Sequence, residues 1–450
     1  MFLFRYPGLF VFILAFILRI GYTVYIQQTN PDSIYQYDSW GYLNIAKNLY
    51  QDQVFSQSLI EPQTPDSTRT PIYPAFILLF HLAQLAGKWI VFVQALLGAS
   101  TALVTYQIAD IIGRNRSVNV LAGILVAINL PSIYMGNVVA SESLYTLLLT
   151  ISVYYAVKGI KFKEEDAVTA SVILMALATL TRPITFYFII IIPLGYFLFS
   201  GFGITRRIKT FLVHAVIIGV FIGPWIYRNH VIFGNPFFSS ISEVNLLFHT
   251  STQVRSLAED KPQKSIEMEY RNDSLAGLDF VGDPGAIPPF ISFARAETKR
   301  VISTYPEAFL KMWATSTIMF FIKPMRSYFN FQLKADNVHA AMASVENRSK
   351  GNLLQKTLNN SDTTTLFLVA IQAFILLITY LGILFSLKYW LTRDFKIFGL
   401  LLSLLIYIAL VSSITEVDAR FRIPVVPILS ILCLPIFAPI FDKFVGIQDE

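Results

Sequence analysis

Long apolar runs separated by short polar breaks set the pattern of this chain. Ten runs read as membrane spans: 7–27, 89–112, 118–137, 139–158, 167–181, 183–200, 208–227, 365–387, 396–414 and 423–441. A helix needs ~20 apolar residues to cross a bilayer, and shorter stretches tend to lie at its surface. Two more apolar stretches, 71–86 and 303–322, are short or interrupted, by His81 in the first and Lys311 in the second. Both are expected to be surface helices. Several adjacent runs are joined by only a few residues, as in helical hairpins. Arg5 followed by an apolar run fits a signal peptide. Arg19 interrupts that run, however, it continues to Ile26, and no small-x-small site follows, so 7–27 reads as an uncleaved first span.

The polar remainder is concentrated in two stretches, 28–88 and 228–362. Within the second, 254–290 is polar and carries Asp283-Pro284-Gly285 and Pro288-Pro289, which predicts a loop. Segment 334–362 is rich in Asn and Ser, and flexibility is expected there.

Composition agrees with the pattern. Of 450 residues 54% are hydrophobic and 14% charged, and the mean hydropathy is +0.56. A soluble domain carries roughly 25% charged residues. The expected fold class is therefore an all-α polytopic membrane protein, one transmembrane unit over 1–450. The single Cys433 excludes an internal disulfide framework and any multi-cysteine metal site. The net charge of +6 does not point to nucleic acid, because in such a chain basic residues mostly report orientation.

With the N-terminus cytoplasmic, the loops on that side hold Arg114 and Arg116; Lys158, Lys161 and Lys163; Arg206, Arg207 and Lys209; Lys388, Arg393 and Lys396; and Lys443. Each is basic, as the positive-inside rule requires. Counting either surface stretch as a span would spoil that agreement. Stretches 28–88 and 228–362 then face outward. The expected location is the plasma (inner) membrane, with the site on its outer, periplasmic face. No internal repeat, Walker-type loop or nucleotide fingerprint is visible.

This topology places Asp38, Arg69, Glu142, Arg182, Arg228, Glu416, Asp418, Arg420 and Arg422 on one outer face. Arginine matches phosphate oxygens and stays charged, and a carboxylate beside an acceptor hydroxyl serves as general base. A phosphate-activated donor outside the cytoplasm is expected to be membrane-borne, and its leaving phosphate needs no general acid. The pattern therefore favours transfer from a lipid carrier. Each residue also has a plainer reading. The aromatics around Asp38 suit an interfacial belt, Arg182 and Arg422 suit snorkelling to headgroups, and Glu142 suits a helix N-terminus. Arg19 lies deep in its span, where charge defaults to a functional or paired role. His230 and His249 are too isolated to suggest a metal site.

Four motifs carry a family resemblance. They are Asp38-x-x-x-Tyr42-x-x-Ile45-Ala46-x-Asn48-Leu49 with Phe55-Ser56; Arg69-Thr70-Pro71-Ile72-Tyr73-Pro74; Pro131-Ser132-x-Tyr134 with Ser141-Glu142-x-x-Tyr145; and Leu180-Thr181-Arg182-Pro183 with Pro224-Trp225-x-x-Arg228-Asn229. In order and spacing the chain resembles GT-C membrane glycosyltransferases, in particular protein O-mannosyltransferases and lipid A aminoarabinose transferases (glycosyltransferase family 39-like). The resemblance implies inverting transfer from a polyprenyl-phosphate sugar to a lipid, glycan or protein acceptor, with Asp38 as base. It implies phosphate binding by Arg69, with Arg182 and Arg228; Arg420 and Arg422 of the last outer turn, and Tyr42 and Tyr73 of the motifs, are further candidates for binding the substrate. It puts Glu142 near the acceptor as a second acid. No cofactor is implied, although a divalent cation bridging Asp38 and phosphate is compatible with it. The mannosyltransferases carry two adjacent acids, whereas Asp38 is followed by Ser39. Two other readings stay open: an oligosaccharide ligase or polymerase with a lipid-diphosphate donor, and a lipid-linked-sugar transporter. A transporter is expected to show repeated halves and midplane charges.

Overall fold

The computed structural model describes residues 5–113, 115–275, 283–333, 363–415 and 418–437, and all regular structure among them is helical. Seven helices are long and apolar enough to cross a membrane: Pro7–Thr29, Lys88–Ile112, Glu142–Phe162, Ile204–Phe233, Thr363–Arg393, Phe395–Thr415 and Ala419–Phe437. An eighth span comes in two pieces, Val118–Ala127 and Leu130–Gly136, bent by 48°. The other two expected spans form shorter helices, Glu165–Thr181 and Phe188–Phe199. The second starts later than its apolar run because the 3-10 turn Pro183–Thr185 takes up the first residues.

Both surface stretches are helical, as Ile72–Leu82 and Pro306–Ile322. The 11 residues of Ile72–Leu82 rise only about 16 Å, roughly half the ~30 Å hydrocarbon core. The expected loop 254–290 is partly helical instead, with Thr252–Glu259 and Gln263–Glu269. Arg255 joins these two helices through Glu259 at 2.7 Å and Glu269 at 2.9 Å. Together with Ile287–Thr304 they cover a small apolar core that includes Leu247, Ile266 and Phe290. Segment 334–362 and Glu416 lie outside the described residues.

The broken span explains Arg19. Asn129 and Pro131 restart the helix, and the Asn129 side chain accepts from the Ser132 amide at 3.0 Å. The break leaves the last carbonyls of the first piece without helical partners. Arg19 donates to two of them, Val126 O and Ala127 O, each at 3.0 Å. Gly98 makes room for it, since a Cβ there would come within 2.4 Å of Arg19 Nε. The deep charge is thus a structural cap.

The largest core joins Glu142–Phe162, Glu165–Thr181, Phe395–Thr415 and Val426–Leu432 through Leu149, Val172, Leu401, Ile408 and Leu432. The basic loops meet at one end of the bundle. There Lys161 binds Asp394 at 3.0 Å, Arg206 binds Glu165 at 2.9 Å, and Lys396 donates to Phe199 O at 2.7 Å. The candidate site is built from the loops of the opposite end.

Candidate active site

Asp38 sits in the first turn of helix Tyr37–Gln51. Ser39 is fully buried, and its hydroxyl accepts from the Gln36 amide at 2.9 Å. The residue beside Asp38 is therefore a helix cap rather than a second acid. The cap turns Asp38 toward two arginines from distant loops. Arg69 Nη2 donates to Asp38 Oδ1 at 2.9 Å, and Arg420 Nη1 donates to Asp38 Oδ2 at 3.0 Å. Each carboxylate oxygen has its own guanidinium. Burial opposes ionisation of Asp38, but Arg420 and then Arg69 outweigh it and hold the carboxyl well below its ordinary range. For Arg69, burial works against the charge while Tyr42, Asp38 and Asp66 favour it, and the balance strengthens its hold on the proton.

Each arginine is held from behind. The Arg69 guanidinium lies 4.8 Å over the Tyr42 ring, and Tyr42 meets Tyr73 edge-on at 4.8 Å. Tyr73 donates to Gln94 Oε1 at 2.7 Å, and Gln94 donates to Val138 O at 2.6 Å. Tyr73 thus braces the Tyr42 ring on which Arg69 rests. Asp418 accepts from the Arg420 amide at 2.8 Å and from the Tyr328 hydroxyl at 2.8 Å, which anchors the turn that bears Arg420.

Glu142 and Arg182 form an adjoining pair, Arg182 Nη1 to Glu142 Oε1 at 2.5 Å. Ser141 connects it to the first cluster, 3.3 Å from Arg182 Nη1 and 3.2 Å from the Tyr42 hydroxyl. Arg182 also adds to the field that stabilises the Asp38 carboxylate. Glu142 itself is fully buried, and with Arg19 and Thr146 it lines a water-sized cavity. Its contact with the first cluster runs through Arg182 rather than through Asp38.

Two of the expected arginines make contacts within the protein. Arg228 is drawn into structure: it donates to Asp66 O and to Asn229 Oδ1, both at 2.8 Å, and is surrounded by Phe55, Trp225 and Phe233. Arg422 is buried and donates to Phe320 O, Phe321 O and Lys323 O at 2.8, 2.7 and 3.1 Å. It caps the end of helix Pro306–Ile322.

Asp66 and Gln57 were missed from sequence. Asp66-Ser67-Thr68 immediately before Arg69 is the kind of polar run in which an aspartate folds back on the following amides, a signal present but weak. Trp40 is exposed and stacks on Tyr35 at 5.3 Å. It lies two residues, about 200° of helix, round from Asp38, which suits the interfacial reading of these aromatics. Among the described residues no group of three or more His, Cys, Asp or Glu side chains gathers.

A bundle of apolar helices with an acid–arginine cluster at one end defines a polytopic helical membrane protein. The comparisons with known proteins agree. Residues 68–227 match the family described as dolichyl-phosphate-mannose-protein mannosyltransferase, a stretch that takes in Arg69, Glu142 and Arg182 but not Asp38. No curated protein matches the chain. Among solved structures the chain is similar to the archaeal oligosaccharyltransferase AglB from Archaeoglobus fulgidus in complex with an inhibitory peptide and a dolichol-phosphate. The TM-score is 0.55 at 13% identity, covering 100% of this chain and 53% of that one. An Archaeoglobus fulgidus oligosaccharyltransferase tethered to an acceptor peptide gives 0.53 at 12% identity, covering 100% and 51%. ArnT from Cupriavidus metallidurans overlays at 0.38 with 11% identity, covering 96% and 81%. The chain thus spans about half the length of AglB. The family match agrees with the expected resemblance over residues 68–227, the first motif lying outside it, and the solved structures share the fold.

Proposed function

We propose that this protein is a glycosyltransferase that moves a sugar from a polyprenyl-phosphate carrier to an acceptor hydroxyl at the outer membrane face, with inversion. The observation that carries this reading is the single carboxylate of Asp38 held between Arg69 and Arg420, each on its own oxygen. A guanidinium pair suits a phosphate leaving group, and stabilising charge that develops in the transition state is usually the largest catalytic term.

In this reading the donor phosphate enters beside Arg69 and Arg420 and takes a share of their charge. Asp38 is too acidic while both arginines serve it alone, and it regains basicity as they turn to the phosphate. The acceptor oxygen attacks the anomeric carbon and its proton passes to Asp38. The bond from that carbon to the phosphate oxygen breaks, and the electron pair leaves on the lipid phosphate. Arg182, set by Glu142, adds positive charge at the margin of the site. We read residues 1–450 as one unit in which the surface helix 71–86 and part of the described residues of 228–333 close over the site, with the donor arriving sideways from the bilayer.

The test is transfer by the purified full chain in nanodiscs against a panel of polyprenyl-phosphate sugars. Lipid, glycan and peptide acceptors are offered in turn. Asp38→Asn is expected to lower transfer by roughly 10²–10⁴-fold while donor binding persists. Normal transfer by that variant would remove Asp38 from the chemistry.

A further inference from the structure

We propose that Asp66 is a positioning residue that sets Arg69 at the distance and angle needed to hold the donor phosphate. This rests on the reading above that Arg69 binds that phosphate. The Asp66 carboxylate bonds to Gln57, Thr68 and the Arg69 amide rather than to Asp38. It is buried, 8% exposed, and its carboxylate accepts four hydrogen bonds. Two fix the backbone: the Arg69 amide donates to Oδ2 at 2.6 Å and the Thr68 amide at 3.1 Å. Two come from side chains: Gln57 Nε2 donates to Oδ1 at 2.5 Å and the Thr68 hydroxyl at 2.8 Å. An aspartate that collects the amide of the third residue after it closes a tight turn, and here that third residue is Arg69. The start of the Arg69 side chain is therefore fixed by the Asp66 carboxylate.

The turn is located from three directions. Arg228 donates to Asp66 O at 2.8 Å. Ser239 donates to Thr68 O at 2.6 Å, and the Ser240 amide donates to Ser67 O at 2.9 Å. Gln57 carries the connection to the helix that bears Asp38. A Cβ added at Gly41 would lie 2.4 Å from Gln57 Oε1 and 3.6 Å from Arg69 Nε. Gly41 thus lets Gln57 and Arg69 settle against the Asp38 helix. The separation of Asp38 from Arg69 is set by Asp66 and Gln57 as well as by the two charges.

The experiment measures binding of a short-chain polyprenyl phosphate to the full-length protein in detergent, with native, Arg69→Ala, Asp66→Ala, Asp66→Asn and the double Asp66→Ala/Arg69→Ala variants. Arg69→Ala is the control for the underlying reading, and unchanged binding there sinks that reading, not only this proposal. Asp66→Ala is expected to weaken binding about tenfold, the equivalent of ~1.4 kcal/mol. Asp66→Asn keeps an acceptor for the two amides and is expected to restore affinity to within about threefold of native. In the Arg69→Ala background the Asp66→Ala loss is expected to vanish, because residues acting as one unit do not add. A general loss of folding would persist in both backgrounds. If Arg69→Ala binds poorly while Asp66→Ala binds like the native protein, or if the two losses add, Asp66 has no positioning role. Should Asp66→Ala not be recovered folded, Gly41→Ala displaces Gln57 without touching the carboxylate. It too is expected to weaken binding, and native affinity in that variant overturns the proposal.

Discussion

At the scale of single residues, the central tension is between the charge state of Asp38 and its proposed task. A base with two guanidinium partners is a weak base, and the same partners keep it ionised far into acid. Its folded-state pKa lies below the unfolded one. The stabilisation from its pairing is therefore present above the ordinary carboxylate value, near 4, and is lost only as pH falls through the lower folded value. Activity follows the same sign. In the native protein, ionisation of Asp38 imposes no acid limb in the ordinary carboxylate range. Arg420→Gln removes the largest favourable influence on the carboxylate, so an acid limb is expected to move up toward pH 4. A profile of kcat/KM between pH 3.5 and 7 (about the range over which carboxylates titrate) checks this. A limb that stays put on removal of Arg420 means that Asp38 is not the group whose ionisation governs the rate. Lower overall activity is expected too, since Arg420 also faces the proposed phosphate site.

At the scale of elements, buried arginines divide into those that finish a helix and those that face the site. Arg19 and Arg422 belong to the first kind. Both spend their donors on main-chain carbonyls, at the break of the bent span and at the end of Pro306–Ile322. A carbonyl without a partner inside a bilayer protein is costly, roughly 1–3 kcal/mol each, and this is reason enough for a charge at depth. Arg422→Met is therefore expected to lower the apparent unfolding temperature in detergent by several degrees. Affinity for a polyprenyl phosphate is expected to stay within about twofold in the protein that remains folded. The reverse pattern, native melting with lost lipid binding, would return Arg422 to the ligand. Residue type cannot make this distinction, because an arginine near a proline reads the same whether it caps a helix or meets a phosphate.

At the scale of the whole molecule, the apolar runs were legible because the bilayer imposes length and composition on any span, and helix ends fell near the expected positions. The two features that length cannot report were the bend after Ala127 and the late start of the helix ending at Phe199, both governed by local turn chemistry at Asn129-Leu130-Pro131 and Pro183. The site was legible as an assembly of loop-end residues, Asp38, Arg69, Arg182 and Arg420. The bond from Asp38 to Arg420 joins residues 382 positions apart, and only the packing of the last helices brings them together. Asp66 was harder to read for the opposite reason: two of its four partners are main-chain amides, which leave only the weak signal of the polar run 66–68. What joins these scales is the sidedness of the bundle. The basic loops gather at one end and the acid–arginine cluster at the other, so one topological fact fixes which side of the membrane the site faces. If positive loops are cytoplasmic, the site is exoplasmic and only a membrane-borne donor reaches it. The buried Cys433 is the sole cysteine, so Cys433→Ser gives a clean background for labelling. Met268, exposed in the polar segment at the site end, is expected as Met268→Cys to react with an impermeant maleimide in intact cells. Lys209→Cys, exposed near the start of helix Ile204–Phe233 at the other end, is expected to react only after permeabilisation. Labelling of position 209 alone in intact cells inverts the protein, puts the site in the cytoplasm, and reopens nucleotide-activated donors as its substrates.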